Sequence, residues 1–265
     1  MPAYFWSGAG YSRRGGRDLN EDNYYLDGTY LPEGGEDTAP RTLGLRSRGL
    51  LAVFDGMGGE EAGEYASFTA ARHLEEQRAA LLGSRDMEGF RAAAQSYVQG
   101  VNRDLRQKAE TLGGTVGAAV ALLMLRGREA MICNLGDCRV YLLRSGKLSQ
   151  LTRDHTLAAF LQRRGDLTPE EARTDKRRHA LMRHLGSTQG GDSLTPGFHR
   201  LELEAGDRFL LCSDGVSELP QGELTRILGK GSPAAGVKKL LEAAEKGGSR
   251  DNLTALCLQV QLRLF

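Results

Sequence analysis

The stretch Leu50-Leu51-Ala52-Val53-Phe54-Asp55-Gly56-Met57-Gly58-Gly59 decides how the rest of the chain is read. Its apolar run is unbroken up to a carboxylate, and glycines follow at 56, 58 and 59. Such a run, closed by glycine, predicts a strand buried on both faces. A carboxylate at the rigid end of a buried strand is costly unless it meets a metal or another cation. An Asp-Gly turn is also common at strand ends. Alone, the stretch leaves turn and metal site both open.

The flanking sequence supplies the elements around it. Residues 3–11 and Tyr24-Tyr25-Leu26 predict strands, joined by the basic, glycine-containing turn at 12–16 and the polar crossing Arg17-Asp18-Leu19-Asn20-Glu21-Asp22. Residues 27–49, with Gly34-Gly35 and mixed charges, read as an exposed loop, with Asp18 and Asp27 at the surface. After Gly59 the period changes. Ala62, Ala66, Ala70 and Leu74 recur at steps of four, and Glu60, Glu61 and Glu64 suit the positive end of a helix dipole. A second helix is predicted over 86–110, with Phe90, Ala94, Tyr97, Val98, Val101 and Leu105 as its apolar stripe. The two helices form an antiparallel pair laid on a sheet. Residues 115–125, 129–135, 139–143 and 148–151 then read as short strands joined by tight turns, which implies antiparallel pairing.

Residues 152–198 differ in character. Helices are predicted at 156–164 and 168–185, the second with Thr168 as N-cap and Pro169 at its first position. Between 155 and 185 there are seven Lys/Arg against four Asp/Glu, and three of the five histidines of the chain. This is a small polar insertion between strands, and its positive charge is either a solvated face or a lure for acidic partners. Strands resume at 201–204 and 208–212, the latter ending in Ser213-Asp214-Gly215. Ser232 caps a last helix opened by Pro233 and stopped by Gly247-Gly248, and a final strand follows at 253–262.

Composition bounds the function. With 265 residues, 40% hydrophobic, 26% charged and a net charge of +1, the chain reads as a soluble globular protein that nothing global directs to nucleic acid or to a membrane surface. No apolar run approaches a membrane span, and the N-terminus lacks the apolar core of a signal peptide. Cys133, Cys138, Cys212 and Cys257 each lie in an apolar strand-like run without a C-x-x-C pair, which suits reduced thiols in a cytoplasmic protein.

Four acids flank predicted buried strands: Asp22, Asp55, Asp214 and Asp251. They are far apart in sequence, so only the fold could gather them. Hard oxygen ligands of this kind favour Mg2+ or Mn2+ over zinc, and no His/Cys set competes. A carboxylate shared by two cations can hold them about 4 Å apart around a water made nucleophilic near neutral pH. That is the chemistry of phosphate-ester hydrolysis.

Seven ordered motifs then become identifiable: RDLNED at 17–22, DGMGG at 55–59, GGT at 113–115, NLGDCRVY at 134–141, LTRDH at 151–155, LCSDG at 211–215 and RDN at 250–252. In order and spacing the chain resembles the metal-dependent Ser/Thr protein phosphatases of type 2C, the PPM family, and its bacterial branch in particular. The resemblance implies an α+β fold, a four-layer α-β-β-α sandwich of two antiparallel sheets flanked by helices. It implies one phosphatase domain over 1–265, with a flap at about 156–195. It also implies two Mn2+ or Mg2+ ions, with a third, weaker one in bacterial members. By that resemblance Asp55 bridges both metals and the Gly56 carbonyl is a further ligand. Asp214 and Asp251 complete one metal, and Asp22 reaches the other with Glu21 acting through water. Asp137 supports the third metal with Asp214, and Arg17 clamps the substrate phosphate, for which a guanidinium fork suits two oxygens at once.

Met57 stands where eukaryotic members often carry a histidine, so the proton donor to the leaving alcohol falls to a metal-bound water, with His155 as second choice. Val116 stands where many members have a second threonine and is read as packing. The implied function is hydrolysis of phosphoserine and phosphothreonine by attack of a metal-activated water. The implied partners are phosphorylated Ser/Thr proteins and a cognate Ser/Thr kinase, and the chain is read as a monomer that binds neither nucleic acid nor membrane. The alternative is an inactive family member serving as a phosphoprotein-binding scaffold. Such proteins lose an acid or the arginine, and here Arg17, Asp22, Asp55, Asp214 and Asp251 are all present. A small-molecule phosphatase would need a closed pocket in place of an open cleft.

Overall fold

Strand β5 (Arg48–Gly58) lies inside a six-stranded sheet, between β2 (Asp22–Leu26) and β6 (Val116–Arg126), in this computed structural model, which describes residues 3–59, 62–187 and 194–263. Successive side chains of a strand point to opposite faces. Leu50, Ala52 and Phe54 therefore pack under helices α1 (Ala62–Gly83) and α2 (Met87–Leu112), while Leu51 and Val53 pack between two sheets. Burial on both faces is what the unbroken apolar run requires. Asp55 shares the parity of Leu51 and Val53, so it faces the space between the sheets.

The first sheet is completed by β7 (Glu129–Leu135) and β10 (Gly197–Glu202) on one side and β3 (Thr29–Tyr30) on the other. The second sheet runs β4 (Arg41–Arg46), β1 (Ala3–Arg13), β12 (Leu253–Arg263), β11 (Arg208–Cys212), β8 (Arg139–Arg144), β9 (Lys147–Gln150). Neighbouring strands in both sheets pair antiparallel. Outside the second sheet, α6 (Gln221–Leu228) and α7 (Pro233–Lys246) bury Leu224, Ile227, Val237 and Leu240 against Ala9, Leu210 and Ala255. The result is the expected α+β sandwich of four layers, α-β-β-α. The caps also stand as read. The Ser232 hydroxyl accepts from Ala235 N at 3.3 Å, and Thr168 forms a capping box with Glu171.

Five local expectations change. Strand β5 does not stop at Asp55. It continues through the glycines, pairing Gly56 with Ala118 and Gly58 with Val116. The segment 27–49 is not simply exposed loop. It carries β3 and β4, buries Leu31, and buries Asp37 beneath Tyr24 Oη (2.9 Å) and Arg41 Nε (2.6 Å). Asp27 is not a bare surface acid, because its carboxylate takes Arg78 Nη2 at 2.8 Å and the Leu50 N–H at 3.3 Å. The helix expected over 156–164 forms as α3 (Leu157–Arg164), while the one expected over 168–185 is broken into α4 (Pro169–Thr174) and a 3₁₀ turn, Lys176–His179. Asp175 causes the break, since its side chain accepts from Arg177 N at 2.8 Å and starts the new turn. Two helices, α5 (Asp214–Ser217) and α6, fill a stretch for which no helix was expected. Glu60 and Glu61 lie outside the described residues.

The inter-sheet layer leaves no room for a side chain where Trp6 of β1 lies over Gly49 of β5. A Cβ at Gly49 would sit 2.0 Å from Trp6 Cζ2, inside a fully packed ring. Gly49→Ala is expected to cost about 1–3 kcal/mol, the usual penalty for overpacking a core. Gly44→Ala on β4, where a Cβ meets nothing within 4 Å, is expected to be near neutral. Urea midpoints test this, and a Gly49→Ala midpoint equal to the parent's would contradict the packing.

Candidate active site

The register of β2 on β5 sets Asp22 directly opposite Asp55. Asp22 has the parity of Tyr24 and Leu26, so both carboxylates face the inter-sheet space, at one end of its apolar cluster. Asp214 opens α5 immediately beyond β11, and Asp251 stands just before β12. Asp137 occupies the turn between β7 and β8, after Gly136 with φ of 91°. The charges of Asp22, Asp214, Asp137 and Asp251 all reach Asp55, in that order of strength. Burial, then these like charges, pushes the Asp55 carboxyl well above the usual range. Burial likewise raises Asp22, opposed by hydroxyl donors from Ser213 and Thr254, and it raises Asp137, with Asp214 adding.

Around this cluster the backbone is opened. Gly56 N donates to the Glu21 carbonyl at 3.0 Å. In a regular antiparallel pair Glu21 N–H would return to the Gly56 carbonyl. It goes instead to Asn252 Oδ1, at 2.9 Å, which releases that carbonyl from the return bond of the ladder. Glycine is needed at 56 for room and not for conformation. Its φ is not positive, and a Cβ would meet the Gly63 carbonyl at 2.0 Å. The Glu21 carboxylate accepts from the Gly63 N–H at the start of α1 and is raised by burial and by Glu64. Glu64, read from sequence as a helix-start charge, is 6% exposed, and its Oε2 is buried without a partner among the described residues.

The donor set suits Mg2+ or Mn2+. It consists of hard oxygens gathered where like charges need neutralising, and it includes a released carbonyl. Among the described residues no three His, Cys, Asp or Glu side chains stand close enough to enclose an ion. The fold therefore collects the carboxylates without closing a ligand shell. Two of the acids are engaged by basic side chains of the chain itself. Arg17 forks onto Asp251, Nε to Oδ1 at 3.0 Å and Nη2 to Oδ2 at 3.1 Å. His179, on the 3₁₀ turn, places Nδ1 3.1 Å from Asp214 Oδ2, and its neighbour Arg178 pairs with Glu218 at 3.0 Å.

Sequence reasoning missed His179, Glu64, Asn252, Ser213 and Thr254. Asn252 and Ser213 sit inside quoted motifs, so their signal was adjacency to an acid. His179 and Thr254 find their partners only through the fold. His155 is corrected. Its Nδ1 accepts from Gly136 N at 3.2 Å, and burial with nearby Arg183 and Arg163 lowers its pKa to about 4, so it is a neutral structural acceptor and not an acid. Most basic side chains at 155–185 are also already engaged: Arg164 with Asp166, Arg173 with Glu170, Arg177 with Asp175, Arg178 with Glu218.

The family profile for Protein phosphatase 2C matches residues 21–159. The chain is 34% identical over 215 residues to the serine/threonine protein phosphatase PstP of Mycobacterium tuberculosis, covering 80% of this chain but 40% of that protein. It therefore spans less than half the length of that relative. It is 33% identical over 221 residues to the serine/threonine phosphatase stp of Listeria innocua, covering 80% of this chain and 85% of that one. A crystal structure of the PstP catalytic domain in complex with two manganese ions superposes with a TM-score of 0.76 and 30% identity, covering 98% of this chain and 100% of that one.

The raised carboxyls give a signed pH prediction. An acid whose folded pKa is raised contributes stability that is full below its unfolded value, near 4, and is lost as pH rises through the folded value. In chelator the parent should lose stability as pH rises above about 4, through the values of about 7 for Asp137 and about 8 for Asp22. Asp55→Asn should then melt above the parent at pH 8 and nearly level with it at pH 4. Thermal melts at the two pH values check this, and a variant that melts below the parent at pH 8 would contradict the charge cluster.

Proposed function

The chain belongs to the protein phosphatase 2C family, and from that footing we propose that it is a metal-dependent phosphatase acting on phosphoserine and phosphothreonine in proteins. The observation that carries this reading is the in-register pair Asp22–Asp55, with Asp214, Asp137 and Asp251 near enough for their charges to act on Asp55 and Arg17 paired with Asp251. The two manganese ions of the PstP catalytic domain support it. In this reading Asp55 would help hold two Mn2+ or Mg2+ ions. Asp214 and Asp251 hold one of them. Asp22, the Gly56 carbonyl and Glu21 hold or orient the other, and Asp137 with Asp214 suits a third. When bound, such ions neutralise phosphoryl oxygens and make a water nucleophilic near neutral pH.

The chain's own groups do the rest. Asp55 and Asp22 are fixed by adjacent strands, so the nucleophile and the phosphate are aligned by a rigid edge. Arg17 moves its fork from Asp251 to two phosphate oxygens, a geometry that guanidinium provides and lysine does not. Met57 supplies no proton, and His155 is occupied by Gly136. The segment at about 156–195 acts as a flap of a single phosphatase domain, resting on Asp214 and Glu218 through His179 and Arg178. Substrates are phosphoproteins, opposed by a cognate Ser/Thr kinase, in signalling by a bacterial cell. Four buried free thiols suit the cytoplasm. Among the described residues no helix is long and apolar enough to cross a membrane. The chain works as a monomer. The scaffold alternative would need a missing acid or arginine, and none is missing.

Mn2+ or Mg2+ should support hydrolysis of an aryl phosphate and of a phosphothreonine peptide, and chelator should abolish it. Asp55→Ala and Asp214→Ala should each lower turnover by about 100-fold or more, since a metal supplies several kcal/mol in the transition state. Full turnover in excess chelator would sink the reading. Arg17→Ala should raise KM about 10- to 100-fold, the worth of a lost charged hydrogen bond. An unchanged KM would remove Arg17 from the clamp.

A further inference from the structure

Breaking a serine or threonine phosphate ester leaves an alkoxide, which needs a proton, and neither Met57 nor His155 supplies one. The chain returning from the flap brings another group to that place. Ala118 N donates to the Leu185 carbonyl at 3.0 Å, and Leu185 N donates to the Ala118 carbonyl at 2.9 Å. Residues 184–186 therefore run antiparallel beside β6. That register sets His184 opposite Ala119, and Ala119 is opposite Asp55. Leu185 and Ala118 both lie in the cluster beneath α1 and α2. His184 therefore faces the other way, to the side of Asp55, because successive side chains alternate. Its Cα stands two strand spacings from that of Asp55, about 10 Å.

The imidazole is turned toward Gly117, which is the cross-strand partner of Met57. A Cβ at Gly117 would lie 2.6 Å from His184 Nδ1 and 3.1 Å from its Cε1, so the glycine makes the room that the ring fills. Met57 shares the parity of Asp55, and directly opposite positions of an antiparallel pair are side-chain neighbours, so the ring stands beside Met57. His184 Nδ1 is 2.9 Å from the Leu185 carbonyl. A carbonyl can only accept, so Nδ1 carries a hydrogen and Nε2 is the nitrogen that exchanges a proton. The ring is half-buried, and Nε2 has no hydrogen-bond partner among the described residues. The other histidines are placed or engaged elsewhere. His73 bonds Asp104 on the outer helices, and His199 is exposed on the edge strand β10. His155 holds Gly136 N, and both ring nitrogens of His179 face the carboxylates of Asp214 and Glu218.

We propose that His184 is a catalytic residue, the general acid that protonates the departing serine or threonine oxygen. It rests on the phosphatase reading of the site. Hydroxide, formed from water whose proton has passed to solvent, makes the new bond to phosphorus. The bond from phosphorus to the serine or threonine oxygen breaks, and its electron pair stays on that oxygen. The oxygen takes the proton from Nε2 of the imidazolium, which leaves the alcohol, hydrogen phosphate and a neutral imidazole. Nε2 then recovers a proton from solvent. Imidazole suits this task because it gains and loses its proton near neutral pH. The bond from Nδ1 to a carbonyl that β6 already holds keeps the ring in place between turnovers.

Two leaving groups of different basicity test it, on the full chain with Mn2+ and with melting temperatures measured alongside. Nitrophenolate departs without a proton, whereas the alkoxide of threonine does not. His184→Asn keeps an N–H for the Leu185 carbonyl but has no proton to transfer. It should lower kcat on a phosphothreonine peptide by about 100- to 10,000-fold, while kcat on para-nitrophenyl phosphate stays within about threefold of the parent. His184→Ala should show the same split between the substrates. Should the Ala variant fail to fold, the Asn variant decides. Folded His184→Asn that loses the two activities equally, or loses neither, would overturn the inference. A parent chain that hydrolyses neither substrate with Mn2+ would instead overturn the phosphatase reading, and this inference with it.

Discussion

The structure depends on one constraint. Two strands in the middle of a sheet bring Asp22 and Asp55 face to face between the sheets, where water cannot screen them fully. Like charges so placed oppose folding unless something neutralises them. The fold concedes this at one end of its inter-sheet layer. Along β5 the same face is Leu51 and Val53 before it becomes Asp55, so the apolar part of the strand fixes the position of the charged part. The flanking elements answer the same constraint. Asp22 receives the Ser213 hydroxyl, Asp251 receives Arg17, and Asp214 receives His179.

This arrangement links stability to function. Groups that would be cheapest to remove from the fold are those that make a divalent-cation site possible. The rigid sandwich supplies most of the binding energy needed to hold them together, through two continuous apolar layers above and below β5. Catalytic sites commonly store cost in this way, with the surrounding structure over-determining it. The loops at the rim are tied by Asn252, whose amide donates to the Arg14 and Leu19 carbonyls at 2.9 and 2.8 Å while its oxygen takes Glu21 N. One side chain therefore sets the turn that presents Arg17 and the residue that precedes Asp22.

Much of this was legible in the sequence, for definite reasons. The five-residue apolar run before Asp55 can only be a strand covered on both faces, and α1 and α2 follow from their stripes. Ser232-Pro233 and Thr168-Pro169 mark helix starts because their chemistry is local. What was not legible depends on non-local packing. Strand β5 runs on to Gly58 because β6 is there to pair with it, which the glycines alone argue against. Asp27 and Asp37 look like loop acids until Arg78 and Arg41 arrive from elsewhere. The helix expected over 168–185 failed at Asp175, whose side chain outcompetes the helical backbone. Of the site, the acids were readable as a set of strand-end carboxylates. His179 and Thr254 were not, because each is defined by a partner far away in the chain.

The central claim is that the carboxylates around Asp55 form a divalent-cation centre. Anomalous diffraction at the manganese edge, from crystals grown with Mn2+, tests it most directly. The account predicts anomalous peaks beside Asp55, contacted by Asp22 or the Gly56 carbonyl on one side and by Asp214 and Asp251 on the other. Manganese bound elsewhere, with no peak at Asp55 in a fully loaded crystal, would contradict it.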